Sequence, residues 1–143
     1  MAANKRFILA ILILAAFTPL IARAAMGLLF KNDASERQKI LIQNYLGKPL
    51  ADLAIAKADL NDDEIEELIV RSDCKNSLCD FRVLAELHGK LVELADIQAQ
   101  NIQLSDTFTN GVRNIIAFKN ASNDFDHSVY IWEPQARRYM IEK

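Results

Sequence analysis

Two histidines, two cysteines and four glycines are all that this 143-residue chain has of the residue types on which many recognisable sites are built. With only His88 and His127 available, no HExxH metal helix can form, and the four glycines are too dispersed for a phosphate-cradling loop or a GxSxG elbow. Cys74 and Cys79 lack the C-x-x-C spacing of redox motifs, and a zinc site would need further Cys or His ligands nearby. Nucleophilic catalysis requires an activated Ser, Cys or Thr beside a base. His127 follows Asp126, which can orient an imidazole, but no partnered nucleophile accompanies it. A long hydrophobic run is missing as well: Phe7 to Ile21 is 15 residues, short of the roughly 20 that span a bilayer as a helix.

The amino terminus has a different logic. Lys5 and Arg6 precede the apolar run, Pro19 interrupts it late, and Ala22-Arg23-Ala24 fits the small-x-small cleavage pattern. This predicts a secretory signal over residues 1–24, cut after Ala24, with no stable membrane insertion afterwards. Cleavage would remove three of the 17 basic residues and none of the 19 acidic ones, taking the net charge from −2 to −5. That sign argues against nucleic acid or an anionic membrane surface as partner. The remainder is one domain in size, with a lead over residues 25–34 and a single fold over 35–143. Export to the periplasm or beyond would place Cys74 and Cys79 where disulfides persist. As a pair they would close a six-residue loop and contribute about 2 kcal/mol in the chain-entropy account.

One amphipathic helix is expected. Ser35 and Gln38 form a capping-box pair, Ile40, Leu41, Tyr45 and Leu46 supply an apolar stripe, and Gly47 and Pro49 mark the stop, giving a helix segment over 35–47. From Leu53 to residue 142 the pattern is β-type. Short strands are predicted at 53–58, 67–72, 80–87, 91–97, 101–105, 114–119, 128–133 and 138–141, with turns at His88-Gly89, Asn110-Gly111 and Pro134 to Arg137. No connection is long enough for a crossover helix, so antiparallel pairing follows. The expected fold is α+β: one N-terminal helix packed on a mostly antiparallel sheet of about seven to eight strands. An offset of 47 residues brings Asp59 onto Asp106, Asp63 onto Asn110, Glu67 onto Asn114 and Leu68-Ile69 onto Ile115-Ile116. Such self-similarity suggests two degenerate four-stranded units.

The densest signal is Asp59 to Val70, DLNDDEIEELIV, with six carboxylates in nine residues running into three aliphatic ones. This stretch resembles the D-x-N-x-D-G-x-x-[DE]-[LI]-I-V element of FG-GAP-type repeats, familiar from the integrin alpha propeller. Its combination with a signal peptide and a small Cys loop is similar to a group of small exported bacterial proteins with a DLNGDG-like turn. The resemblance implies a β-rich exported domain of no agreed activity. It also implies a calcium ligand set at Asp59, Asn61, Asp63 and Glu67. The glycines of the family pattern are Asp62 and Glu64 here, and an EF-hand is excluded because Val70 stands where its bidentate Glu belongs.

Further along, Tyr130 and Trp132 lie on a strand that is apolar on both parities. It reads as a buried central strand or as one displaying aromatic anchors to a partner, beside the Arg137-Arg138 pair. The function these features favour is a non-catalytic, exported protein-binding module, inhibitor- or immunity-like. Its partner would be an envelope or extracellular protein, and its surface would include Tyr130, Trp132, Arg137 and Arg138. The alternative is a calcium-binding structural or adhesive module using the Asp59–Glu67 turn. A hydrolase working through a carboxylate pair comes third.

Overall fold

The computed structural model describes residues 26–143 except Ala121 and Asp124. The predicted signal over 1–24 lies outside the described residues. The order of elements is β1 (Met26–Gly27), α1 (Glu36–Leu46), a 3-10 turn (Leu50–Asp52), β2 (Ala54–Ala58), β3 (Glu67–Lys75), β4 (Leu78–Leu87), β5 (Lys90–Ala99), β6 (Asn101–Thr109), β7 (Val112–Phe118), β8 (His127–Glu133) and β9 (Arg138–Ile141). The fold is α+β.

Helix α1 begins and ends where its local chemistry dictates. The Ser35 hydroxyl accepts the Gln38 backbone N–H at 3.2 Å and the Gln38 side chain accepts the Ser35 N–H at 3.0 Å. At the other end Gly47 takes φ +65° and donates its N–H to the Gln43 carbonyl, a conformation glycine adopts without a Cβ penalty. The buried stripe differs from the expected one. Ile42 is the residue fully buried and Leu46 packs beside it, whereas Ile40 and Tyr45 are exposed. Ile42 and Leu46 are four apart and share the face turned to the sheet, a spacing that the set at 40, 41, 45 and 46 straddles.

The expectation of a single sheet of seven or eight strands is corrected. Among the described residues, nine strands form two antiparallel sheets: a four-stranded one in the order β2-β3-β4-β5 and a five-stranded one in the order β1-β6-β7-β8-β9. Gln100 alone joins β5 to β6, so the chain leaves one sheet and starts the next across one residue. Each set of four consecutive strands is a meander, and the two meanders match the two segments related by the 47-residue offset.

The two sheets and the helix make three layers. Ile55, Leu68, Val70 and Leu84 face α1 and form one cluster with Ile42. Their neighbours Ala56, Ile69, Phe81 and Val83 point the other way and meet Ile102, Leu104, Ile115, Ala117 and Tyr139 of the second sheet. The first sheet is thus covered on both faces, which is why Leu68-Ile69-Val70 is continuously apolar. The lead ties the layers together: β1 pairs with β6, Phe30 packs into the inter-sheet core, and the Asn32 N–H donates to the Ile55 carbonyl at 3.1 Å while its side chain accepts the Ile55 N–H at 2.7 Å.

Cys74 and Cys79 are bonded, with their Sγ atoms 2.01 Å apart. They flank the β3–β4 hairpin tip at Asn76-Ser77, where both residues have positive φ. β3 and β4 are longer than expected, running through the cysteines to that tip.

Candidate functional site

The turn between β2 and β3 is built from within by one carboxylate. Asp59 accepts backbone N–H groups from Asn61 (3.3 Å), Asp63 (3.2 Å) and Glu64 (2.8 Å). Partial desolvation works against its charged form, but the N–H groups of Glu64, Asp63, Asn61 and Asp62 outweigh it and hold the Asp59 carboxyl below the usual carboxylate range. Asp63 adds a second brace, accepting the Ile65 N–H and the Asn61 side-chain amide, each at 2.8 Å. Asp62 and Glu64 both take left-handed φ, +56° and +67°. Side chains there cost of order 1 kcal/mol each, a cost the hydrogen bonds to Asp59 and Asp63 offset.

The turn is also fastened to the second sheet. The Arg113 backbone N–H donates to the Leu60 carbonyl at 2.6 Å, and the Arg113 guanidinium lies 3.7 Å from Asp62. Arg113 also donates to the Ser105 carbonyl at 3.2 Å and stacks over Phe108. Its own carbonyl accepts the Tyr139 hydroxyl at 2.7 Å. Burial pushes the Tyr139 phenol above its ordinary range. Arg113 is the hub that the sequence reading did not identify; its only signal is a lone positive charge inside the apolar strand VRNIIAF. Between the lead and the acidic turn lies a groove of about 540 Å³ bordered by Lys31, Lys57, Asp59, Glu66 and Arg113.

The second unit repeats the arrangement in reduced form. Glu67 accepts the Leu60 N–H at 3.0 Å, and Asn114, 47 residues on, donates to the Thr107 hydroxyl at 3.0 Å. In both units the seventh residue back is the partner. Glu64 and Gly111 also correspond, and both have positive φ. Between them the two turns preserve a strand-turn-strand corner while changing the polar groups that brace it.

The predicted calcium set is placed as follows. Asp59 and Asp63 turn their oxygens to backbone and side-chain N–H donors of the turn itself, the Asn61 side-chain amide donates to Asp63, and Glu67 points back to Leu60. Burial pushes the Glu67 carboxyl up; the Leu60 N–H opposes this, and the charges on Asp63 and Asp59 add to it. Among the described residues no three His, Cys, Asp or Glu side chains converge in a way that could hold a metal ion. Calcium, which takes six to eight oxygens, would have to displace these N–H donors from Asp59, Asp63 and Glu67.

The predicted interface residues divide. Tyr130 and Trp132 are half-buried against the inter-sheet core, where Trp132 meets Tyr139 edge-on at 5.7 Å. Arg137 and Arg138 are exposed in and beside the β8–β9 turn. That turn lies at the same end of the second sheet as Asn110-Gly111, and the Asn110 amide donates to the Trp132 carbonyl at 3.0 Å. His88 is in the β4–β5 turn with φ +51°, and the His127 ring packs against Phe118 at 5.8 Å. No family model, no curated protein and no solved structure matches the chain.

Proposed function

We propose that the chain is an exported, non-catalytic protein-binding module that presents the rigid acidic turn between β2 and β3 to an envelope or extracellular partner. One observation carries the reading. The turn is locked internally by Asp59 and externally by Arg113, while Asp62, Asp63, Glu64, Ile65 and Glu66 remain exposed at its rim. Ile65 is 66% exposed, an apolar side chain held out on a loop that has little conformational entropy left to lose on binding. A preorganised rim of carboxylates around one aliphatic residue suits a basic protein surface with an apolar socket, as an inhibitor or immunity partner would need. The exposed Arg137-Arg138 pair extends the candidate surface. The likeness to FG-GAP-type elements agrees with a β-rich exported module, and the leader pattern and the disulfide support the compartment.

The test is affinity capture from envelope extract with the processed chain and with a Glu64→Lys/Ile65→Lys variant. Both side chains are exposed, so the variant is expected to fold. A partner held by the wild-type chain should be lost at least about tenfold by the variant and weakened by salt. Equal retention by both chains would overturn the assignment to this turn.

A second reading, a calcium-dependent structural or adhesive module, draws on the left-handed φ values at Asp62 and Glu64. Calcium binding would require Asp59 and Asp63 to exchange backbone donors for the ion. A site at about ten times its Kd would add ~1.4 kcal/mol of stability. We expect none of this: the melting temperature of the chain should be unchanged in millimolar calcium, and a rise of several degrees would restore the calcium reading.

A further inference from the structure

We infer that the groove beside the acidic turn takes a short extended segment of the partner, added antiparallel to the free edge of β2 at Lys57. The inference rests on the protein-binding reading above and gives the partner's contacting segment its form. β2 is an edge strand of the first sheet, and Ile55 shows which way its backbone groups point. The Ile55 carbonyl accepts the Asn32 N–H at 3.1 Å and the Ile55 N–H donates to the Asn32 side-chain oxygen at 2.7 Å, on the side away from β3. Backbone direction alternates along a strand, so Lys57, two residues on, also turns its N–H and carbonyl outward. Among the described residues neither of these two groups has a hydrogen-bond partner.

The chain itself demonstrates what fits this edge. Asn32 imitates one residue of an antiparallel strand: its N–H donates, and its side-chain oxygen takes the part of that residue's carbonyl. In the same register Phe30 would stand opposite Lys57. Phe30 turns into the inter-sheet core instead, with its ring 6.2 Å from that of Phe81. Towards its amino end the lead thus parts from β2 and joins β6 as β1. The groove of about 540 Å³ lies where it parts, with Leu28, Leu29 and Lys31 on one side and Lys57 and Ala58 on the other. Its volume is within the roughly 300–1,000 Å³ of ligand clefts.

Alternation also sets the side chains the segment needs. A residue exchanging both bonds with Lys57 has its neighbours turned to the inter-sheet side, where Leu28, Ala58 and Leu104 line the groove and pack with the core. Those two places suit apolar residues. The residue two before it lies opposite Asp59, where the charge is acidic. Glu66 is ion-paired to Lys57 at 2.9 Å and Asp62 lies 3.7 Å from Arg113, which leaves Asp33 and Asp59 against Lys31 along the groove. A basic side chain belongs there, giving the order basic, apolar, polar, apolar. Backbone pairing for affinity and alternate side chains for specificity are the terms of strand addition.

The test is an NMR titration of the processed chain with the blocked tetrapeptide acetyl-Lys-Val-Thr-Val-amide. The Lys57 amide should exchange rapidly in the free chain, and the peptide should shift the Lys57 and Ala58 signals saturably with a Kd below about 1 mM. Methylating the Thr nitrogen of the peptide, which donates to the Lys57 carbonyl, should weaken binding at least about fivefold, the worth of one hydrogen bond. Methylating the nitrogen of the following Val, which points away from β2, should change it by less than about twofold. Replacing the peptide's Lys by Glu should abolish saturation. A Lys57 amide already protected in the free chain, no saturable shift, or an equal response to the two methylations would overturn the proposal. The Glu64→Lys/Ile65→Lys variant keeps the Lys57 edge and should still bind the peptide. Peptide binding without partner capture would therefore remove the role of the rim alone, and capture lost by that variant without peptide binding would remove the groove alone.

Discussion

Replacing Phe81 by alanine should lower the stability of the fold by about 3–5 kcal/mol, the range for removing a large buried aromatic side chain. Phe81 is 1% exposed, on β4 of the first sheet, with its ring 6.2 Å from that of Phe30 and its cluster reaching across to the second sheet. Cavity and transfer costs add because rigid strands on both sides leave little room for collapse. Against a total of about 5–15 kcal/mol for a domain, the loss is a large fraction. Trp132, the single tryptophan, sits on the second sheet against the same core. Its fluorescence should therefore report the loss as fully as far-ultraviolet circular dichroism does, with the urea midpoint lowered and the slope unchanged. Separate transitions for the two probes, or a loss below about 1 kcal/mol, would show that the sheets do not share one cooperative core.

That shared core also marks where sequence reasoning stopped. The helix was legible because Ser35, Gln38 and Gly47 act locally, each satisfying backbone groups within a few residues. Eight strands were legible because their alternation is local too. What alternation does not carry is the identity of a strand's neighbour. The polar-apolar pattern of residues 91–105 looks the same whether β6 continues the sheet of β5 or begins another, and no glycine or proline marks the crossing at Gln100. The weak 47-residue echo was the better guide, since it divided the strands where the sheets divide. β1 was invisible because two residues have no period. In the candidate site, the acidic turn was legible as composition, but its geometry was not. The left-handed Asp62 and Glu64 depend on Asp59 accepting the N–H groups of Asp63 and Glu64, and the anchoring role of Arg113 depends on a contact between residues about fifty apart.

The second large effect should come from the Cys74–Cys79 bond. Closing a six-residue loop removes chain entropy from the unfolded state worth about 2 kcal/mol. At roughly 3–5 °C per kcal/mol for a domain of this size, reduction or a double Cys→Ala substitution should lower the melting temperature by about 6–10 °C. The local consequence should be larger than the global one. The β3–β4 ladder changes register between Ser72 and Lys75, Asp73 takes φ +49° at that irregularity, and the tip beyond it is the Asn76-Ser77 turn. Only the Lys75–Leu78 pair lies beyond the break, so without the bond the tip has little to hold its register. Lys48, ion-paired to Asp73, is another tie at this end, and Cys79 and Asp80 are paired with Ala99 and Gln98 of β5. Hydrogen exchange on the reduced chain should therefore show lost protection from Asp73 to Leu78, with β2, the body of β3 and the part of β4 paired with β5 protected as before. A melting temperature unchanged by reductant, with the thiols shown to be free, would mean that the hairpin holds its register without the bond.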